Sequence, residues 1–345
     1  MNRFDGIIRN HSELANWKEA YLPNLYVSSH AANFLELNNG DLLCVFFSGS
    51  EEGAPDCNIV MSRLPAGSDT WTRPIDLSKD LTRSEQNPVL FQTPGGSIWL
   101  LHTSYDPGKE TEPRVIRRIS DDNGYTWSEP EIYFEDNSVE TRHPILVLPN
   151  GDWLLPCNRL DSLVKISSDQ GQSWQEFVVP NSRKRIHMNV IPLRDGSLFA
   201  MYRSSESDRI YFSRSSDYGR TWTEPVRSDL PNNHSSTQMI RLLDGRLALV
   251  YNPVSMENGD VRWYMKNGKR LQKAVRTPLA LAISEEEGKT WPDKHIIQAA
   301  DDEYWENEMG YSYPSIIQTR DEQLHIAYTY LRKGIKYVRL DKAFY

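Results

Sequence analysis

The chain has 345 residues, with 39 Lys and Arg against 47 Asp and Glu, for a formal net charge of −8. Its longest apolar runs, such as Ile98-Trp99-Leu100-Leu101, are too short to cross a bilayer, and its mild, dispersed acidity is poor footing for a nucleic-acid partner. Three cysteines (Cys44, Cys57, Cys157) without metal-ligand spacing argue against a disulfide scaffold or zinc site, and with a start lacking a basic-then-apolar leader they predict a cytoplasmic protein with no cofactor or metal.

Ten Trp, 17 Tyr, 19 Gly and 20 Pro point to many short strands with turns between them. In chain order, the first apolar hairpin runs Leu35–Leu43 about Asn39-Gly40, and a second starts at Pro88. Others are centred on Asn150-Gly151, Asp195-Gly196 and Asp244-Gly245, and a sixth starts at Pro314. Asn-Gly or Asp-Gly between apolar alternations is a strong hairpin signal.

A second repeat alternates with the first. It begins with a degenerate copy, Gly67-Ser68-Asp69-Thr70-Trp71, and continues as Ser120-Asp121-Asp122-Asn123-Gly124-Tyr125-Thr126-Trp127. Further copies end at Trp174, Trp222 and Trp291, the last with Glu286 in place of Asp. Spacings of roughly 50 to 70 residues, with four strands in each, are the size of propeller blades. The expected fold is therefore all-β: a six-bladed β-propeller with four-stranded antiparallel blades, residues 1–345 forming one domain. The last blade has no box after Ile335–Leu340, so its outer strand is expected from the N-terminal segment.

Within each blade the A–B and C–D turns lie on one face, which leaves the D–A and B–C loops on the other. The starts of the A strands bring His30, Gln86, Asn87, Arg142, His143, His187, His234, Tyr311 and Tyr313 to that second face, where convergent polar groups suggest a ligand site. The B–C loops add the carboxylates Glu52 and Asp56 and the arginines Arg203 and Arg209. Arginines on one face suit an anionic ligand. The long loop 252–278, rich in Arg, Lys and Trp, reads as a basic flap, a solvated hairpin or an oligomer contact.

The Ser-x-Asp-x-Gly-x-Thr-Trp box resembles the Asp-box (BNR) repeat of the sialidase superfamily, and the resemblance spans nearly the whole chain. It implies a propeller enzyme that cleaves terminal acidic sugars with a tyrosine nucleophile, an aspartate acid/base and three arginines on the substrate carboxylate. By position, Tyr311 or Tyr313 would be the nucleophile, Asp56 the acid/base and Arg203 the second arginine. The first-blade arginine is replaced by His30-Ala31-Ala32-Asn33, and blade five ends its comparable strand at Tyr251-Asn252, which points away from sialic acid itself. The expectation is a glycoside hydrolase that acts on an acidic oligosaccharide, with Glu52 an alternative acid and His30 an alternative base. Two other readings stay open: a uronate-directed lyase using His and Tyr, and a glycan-binding propeller without catalysis.

Overall fold

The computed structural model describes residues 3–78, 80–106, 109–134, 139–266, 269–307 and 310–345. The fold is the expected one, a propeller of six antiparallel blades that is almost entirely β. Blade one runs Ser28–Glu36, Leu42–Gly49, Asn58–Leu64 and Ile75–Asp76, and blade two runs Ser84–Gln92, Ile98–Asp106, Lys109–Ser120 and Glu131–Phe134. Blade three has a short inner strand, Leu146–Val147, followed by Trp153–Asn158, Ser162–Ser167 and Gln175–Val178. Blade four comprises Arg185–Pro192, Leu198–Ser204, Arg209–Ser215 and Val226–Pro231; blade five comprises Gln238–Arg241, Leu247–Tyr251, Leu279–Ser284 and Asp293–Gln298. Blade six is Tyr311–Gln318, Leu324–Tyr330 and Gly334–Leu340, and Trp17–Tyr21 pairs antiparallel with the last of these, Trp17 opposite Leu340. The N-terminal segment thus supplies the missing outer strand.

The chain divides into two compact units, one of residues 1–144 and 313–345, the other of residues 145–312. The 252–278 insertion contains a separate hairpin, Val261–Lys266 with Lys269–Ala274. Arg270 stacks on Trp263 (4.3 Å to the ring centroid), and Arg262 lies 4.9 Å from the ring of Tyr304. Residues 267–268 and the side chains of Tyr264, Lys266 and Lys269 lie outside the described residues. No helix among the described residues is long and apolar enough to cross a membrane.

The boxes act as turn devices. Asp122 accepts the Tyr125 and Thr126 N–H groups at 3.0 and 2.8 Å and the Thr126 hydroxyl at 2.6 Å, while Ser120 Oγ accepts the Gly124 N–H. The Thr126 side chain and N–H bonds hold the Asp122 carboxyl down to about 2, and Ser173 does the same for Asp169. Gly124 takes φ +80°, a conformation that costs glycine little. Two of the box tryptophans pack toward the preceding blade: Trp222 joins Leu154 and Val164, and Trp291 joins Phe199 and Met201. Trp71 joins Phe34 and Tyr337 in the core between blades one and six.

A second device stitches neighbouring blades. Asn33 Oδ1 accepts the Leu90 N–H (2.9 Å), Asn189 Oδ1 that of Met239 (2.7 Å), and Ser315 Oγ that of Phe34 (3.3 Å). Each acceptor sits two residues beyond a left-handed residue, respectively Ala31, His187 and Tyr313. These bonds satisfy backbone donors that a broken ladder would leave buried and unmade.

Candidate active site

The site is built on those left-handed residues. The pairing of strands A and B shifts register between His30 and Asn33, between Gln86 and Val89, and between Ile186 and Asn189. At these bulges Ala31 (φ 59°), Asn87 (φ 50°) and His187 (φ 55°) leave the extended region, and Tyr313 does the same at φ 52°. A left-handed aromatic or imidazole residue is strained and persists only where its surroundings over-determine it. Bulges re-aim the side chains on either side of them. The placement also separates two columns that the sequence mixed: His30, Gln86 and Ser312 precede the left-handed position, whereas Ala31, Asn87, His187 and Tyr313 occupy it.

In the first unit three of the predicted residues form one buried group. The rings of His30 and Tyr313 lie 4.1 Å apart between centroids, and Phe47 closes the other side of the imidazole at 5.3 Å. His30 is fully buried, with Nδ1 2.6 Å from Thr329 Oγ1. The Ala31 N–H also donates to that hydroxyl oxygen (3.2 Å), so the hydroxyl hydrogen is available to the ring. Arg142 is 2% exposed; its guanidinium lies 5.5 Å from the Tyr313 ring centroid. Its Nη2 donates to the carbonyls of Ala32, Tyr313 and Pro314 at 3.3–3.4 Å. Arg142 therefore braces the left-handed backbone at Tyr313 and places a positive charge beside the phenol at the same time. His143, the next residue, is equally buried.

The second unit holds its own polar group. Arg203 Nη1 donates to the His234 carbonyl at 2.9 Å, and the His187 N–H donates to Asn158 Oδ1 at 3.2 Å. His234 lies in the D–A loop, ahead of the strand that begins at Gln238. Burial first, then the charges of Arg203 and Arg276, pushes its imidazole down to about 3. The same holds for His325 of the first unit: burial, and then Arg339, pushes it to about 3, with Asp321 opposing. Both are neutral near pH 7, and the two ring nitrogens of His325 are bonded to Thr319 Oγ1 and the Tyr337 hydroxyl. The consequence for stability follows from linkage. Between the ordinary histidine value of 6.5 and about 3, the unfolded chain takes up protons that the folded chain refuses, so stability falls as pH drops through that window. Urea midpoints across that range should decline, and less steeply in His234→Asn; an unchanged slope in that variant would contradict this assignment.

The two tyrosines are distinguished by their partners. Tyr311 is fully buried and donates its hydroxyl to Asp301 Oδ1 (3.0 Å) in the second unit, beside Tyr304. Tyr313 is the one grouped with His30 and Arg142. Of the loop carboxylates, Asp56 accepts the Ser50 N–H and hydroxyl (2.8 Å to Oγ), which ties its loop, and Glu52 pairs with Arg332 Nη2 at 2.8 Å. Arg209 is engaged by Glu257 and the Asp229 carbonyl. The Gln86 side chain donates to Ser84, and Asn87 keeps a buried Oδ1 with no hydrogen-bond partner among the described residues. Sequence reasoning missed Thr329, Phe47 and Asp301. Each comes from a strand or loop remote in sequence, and no motif marks any of them.

Among the described residues no set of three or more His, Cys, Asp or Glu is grouped to hold a metal. The three cysteines are buried and free; burial raises the Cys57 thiol to about 11 and the Cys157 thiol to about 12, which makes them poor nucleophiles.

Comparison with known proteins agrees with this architecture. The chain is similar to the Hadza microbial sialidase Hz136 (16% identity, TM-score 0.73), covering 92% of this chain and 66% of that one, so it spans just under two thirds of that sialidase's length. It is similar to the NanB sialidase from Streptococcus pneumoniae (12% identity, TM-score 0.71), over 99% of this chain and 71% of that one. A protein of unknown function from Dyadobacter fermentans is alike over nearly full length in both directions, 99% and 98%, at 16% identity and a TM-score of 0.71. No functionally curated protein matches in sequence. The BNR repeat-like domain matches residues 40–326, and with five box copies and six blades in place the chain belongs to the BNR repeat-like family.

Proposed function

We propose that this protein is a glycoside hydrolase that cleaves a terminal bond of an acidic oligosaccharide, with His30 and Tyr313 as the reacting pair. The observation that carries the reading is the buried contact of the His30 imidazole with the Tyr313 ring at 4.1 Å, set on strained backbone with the Arg142 guanidinium against the same phenol. An imidazole and a phenol in one site can move protons near neutral pH. A phenol can serve as the nucleophile that attacks an anomeric carbon. Thr329 positions the imidazole through Nδ1. In the second unit, Arg203 and neutral His234 are a separate polar group fit to hold ligand oxygens.

The fold supports the class of substrate, since the similar solved proteins include sialidases. The sequence at the first blade argues for an acid other than sialic acid, because a bidentate arginine is not replaced by imidazole and alanine. Asp56 belongs to the same reading as acid/base: full turnover in Asp56→Asn would remove it. The deciding test is incubation with a panel of acidic oligosaccharides, reading product mass. Products that gain one water are expected. Products of unchanged total mass with new near-ultraviolet absorbance would instead establish elimination, and no product from any glycan would leave a binding propeller.

A further inference from the structure

The first unit contains a second cluster of buried charged groups, which shares no residue with the His30–Tyr313 group. A cavity of about 390 Å³ opens beside the sheet of blade two, where that sheet packs on blade one. Side chains alternate across a strand, so His102 and Ser104 share the sheet face of core residue Leu100. His102 is 1% exposed, with Nε2 2.7 Å from Glu85 Oε2. Ser104 Oγ donates to Glu85 Oε1 at 2.8 Å and accepts from Arg83 Nε at 2.7 Å, while the remainder of the Arg83 guanidinium is taken up by Asp106 and the Ser104 carbonyl. Three buried atoms of cavity-lining residues have no hydrogen-bond partner among the described residues: His102 Nδ1, Arg118 Nε and Glu85 Oε2, the last in ion-pair contact with His102 Nε2. Leaving such groups unbonded is costly.

The lining decides what would satisfy them. Asp80, Glu85, Glu129 and Glu131 offset Arg83, Arg114 and Arg118, so the cavity has no excess positive charge to select an anion. Ile116, Pro130 and Ile132 supply an apolar wall. With the ring hydrogen on Nε2, turned to Glu85 Oε2, His102 Nδ1 is an acceptor while Arg118 Nε is a donor, so a ligand that serves both must donate and accept, which a hydroxyl does and a carboxylate does not. A pyranose offers several hydroxyls at its edge and an apolar C–H face for the wall.

We propose that this cavity is a second ligand site, which takes a neutral polyhydroxylated ring of monosaccharide size. It is independent of the hydrolase reading, since none of its residues is placed in that chemistry. The test is ligand-observed NMR on the full chain with a panel of neutral monosaccharides, comparing wild type with Arg118→Met, Ile116→Trp and Tyr313→Phe. Binding is expected in wild type and in Tyr313→Phe, and about tenfold weaker in each of the two cavity variants. Ile116→Trp fills the space without removing a charged group, so it stands as evidence if Arg118→Met folds poorly; melting curves identify that case. The proposal is overturned if no monosaccharide binds, if both cavity variants bind as wild type does, or if inorganic phosphate displaces the sugar, which would make the cavity an anion site.

Discussion

Tyr313→Phe and His30→Ala should each lower turnover of an acidic oligosaccharide by about 10²- to 10⁴-fold, the range that a positioned proton-transfer group contributes. The geometry makes the two losses non-additive. The ring centroids lie 4.1 Å apart and both rings rest on the blade-six strands through Thr329 and left-handed Tyr313, so the double variant should be little worse than either single one. Thr329→Val separates positioning from chemistry: it keeps the shape, removes the oxygen bonded to His30 Nδ1, and should shift the pH profile of kcat. Melting temperatures of the variants should stay near wild type for Tyr313→Phe, because only a hydroxyl is removed. Turnover in Tyr313→Phe equal to wild type would end the case for the pair.

Trp71→Ala should destabilise the first unit by about 3–5 kcal/mol, the range for truncating a large buried aromatic side chain. Trp71 is 1% exposed and sits where blades one and six meet, stacked on Phe34 at 5.9 Å and edge-on to Tyr337 at 5.2 Å. The same core contains Leu22, Ala20 and Ile8 from the N-terminal segment, whose strand completes blade six. A cavity at Trp71 therefore loosens the junction where chain start and chain end share a sheet. Trp127→Ala should cost less, because that box residue is only half-buried. Denaturant titration measures both; a loss below about 1 kcal/mol at Trp71 would mean that the strand pairing, not the aromatic cluster, holds the junction.

How much of this was legible beforehand differs between scaffold and site. The Asp boxes announce themselves because each is local: Ser120, Asp122, Gly124 and Thr126 bond to one another within seven residues, so spacing alone specifies the turn. The missing box after Leu340 likewise pointed to the N-terminal strand. The A-strand starts were visible as polar interruptions, and Asn33 and Asn189 share an offset that, in retrospect, marks the stitch between blades. His234 falls in the loop ahead of its strand, which begins only at Gln238.

What the amino-acid order determined by itself was the all-β repeat, its turns and the residue types at the head of each inner strand, because those depend on interactions a few residues long. Which of them touch was decided only by the tertiary structure. Tyr313 rather than Tyr311 meets His30, Thr329 rather than a carboxylate holds the imidazole, and Glu85 with His102 is buried beneath a cavity of its own. The reason is physical: one left-handed residue in a bulge turns a strand's side chains, and no local pattern encodes which remote strand will lie opposite once they have turned.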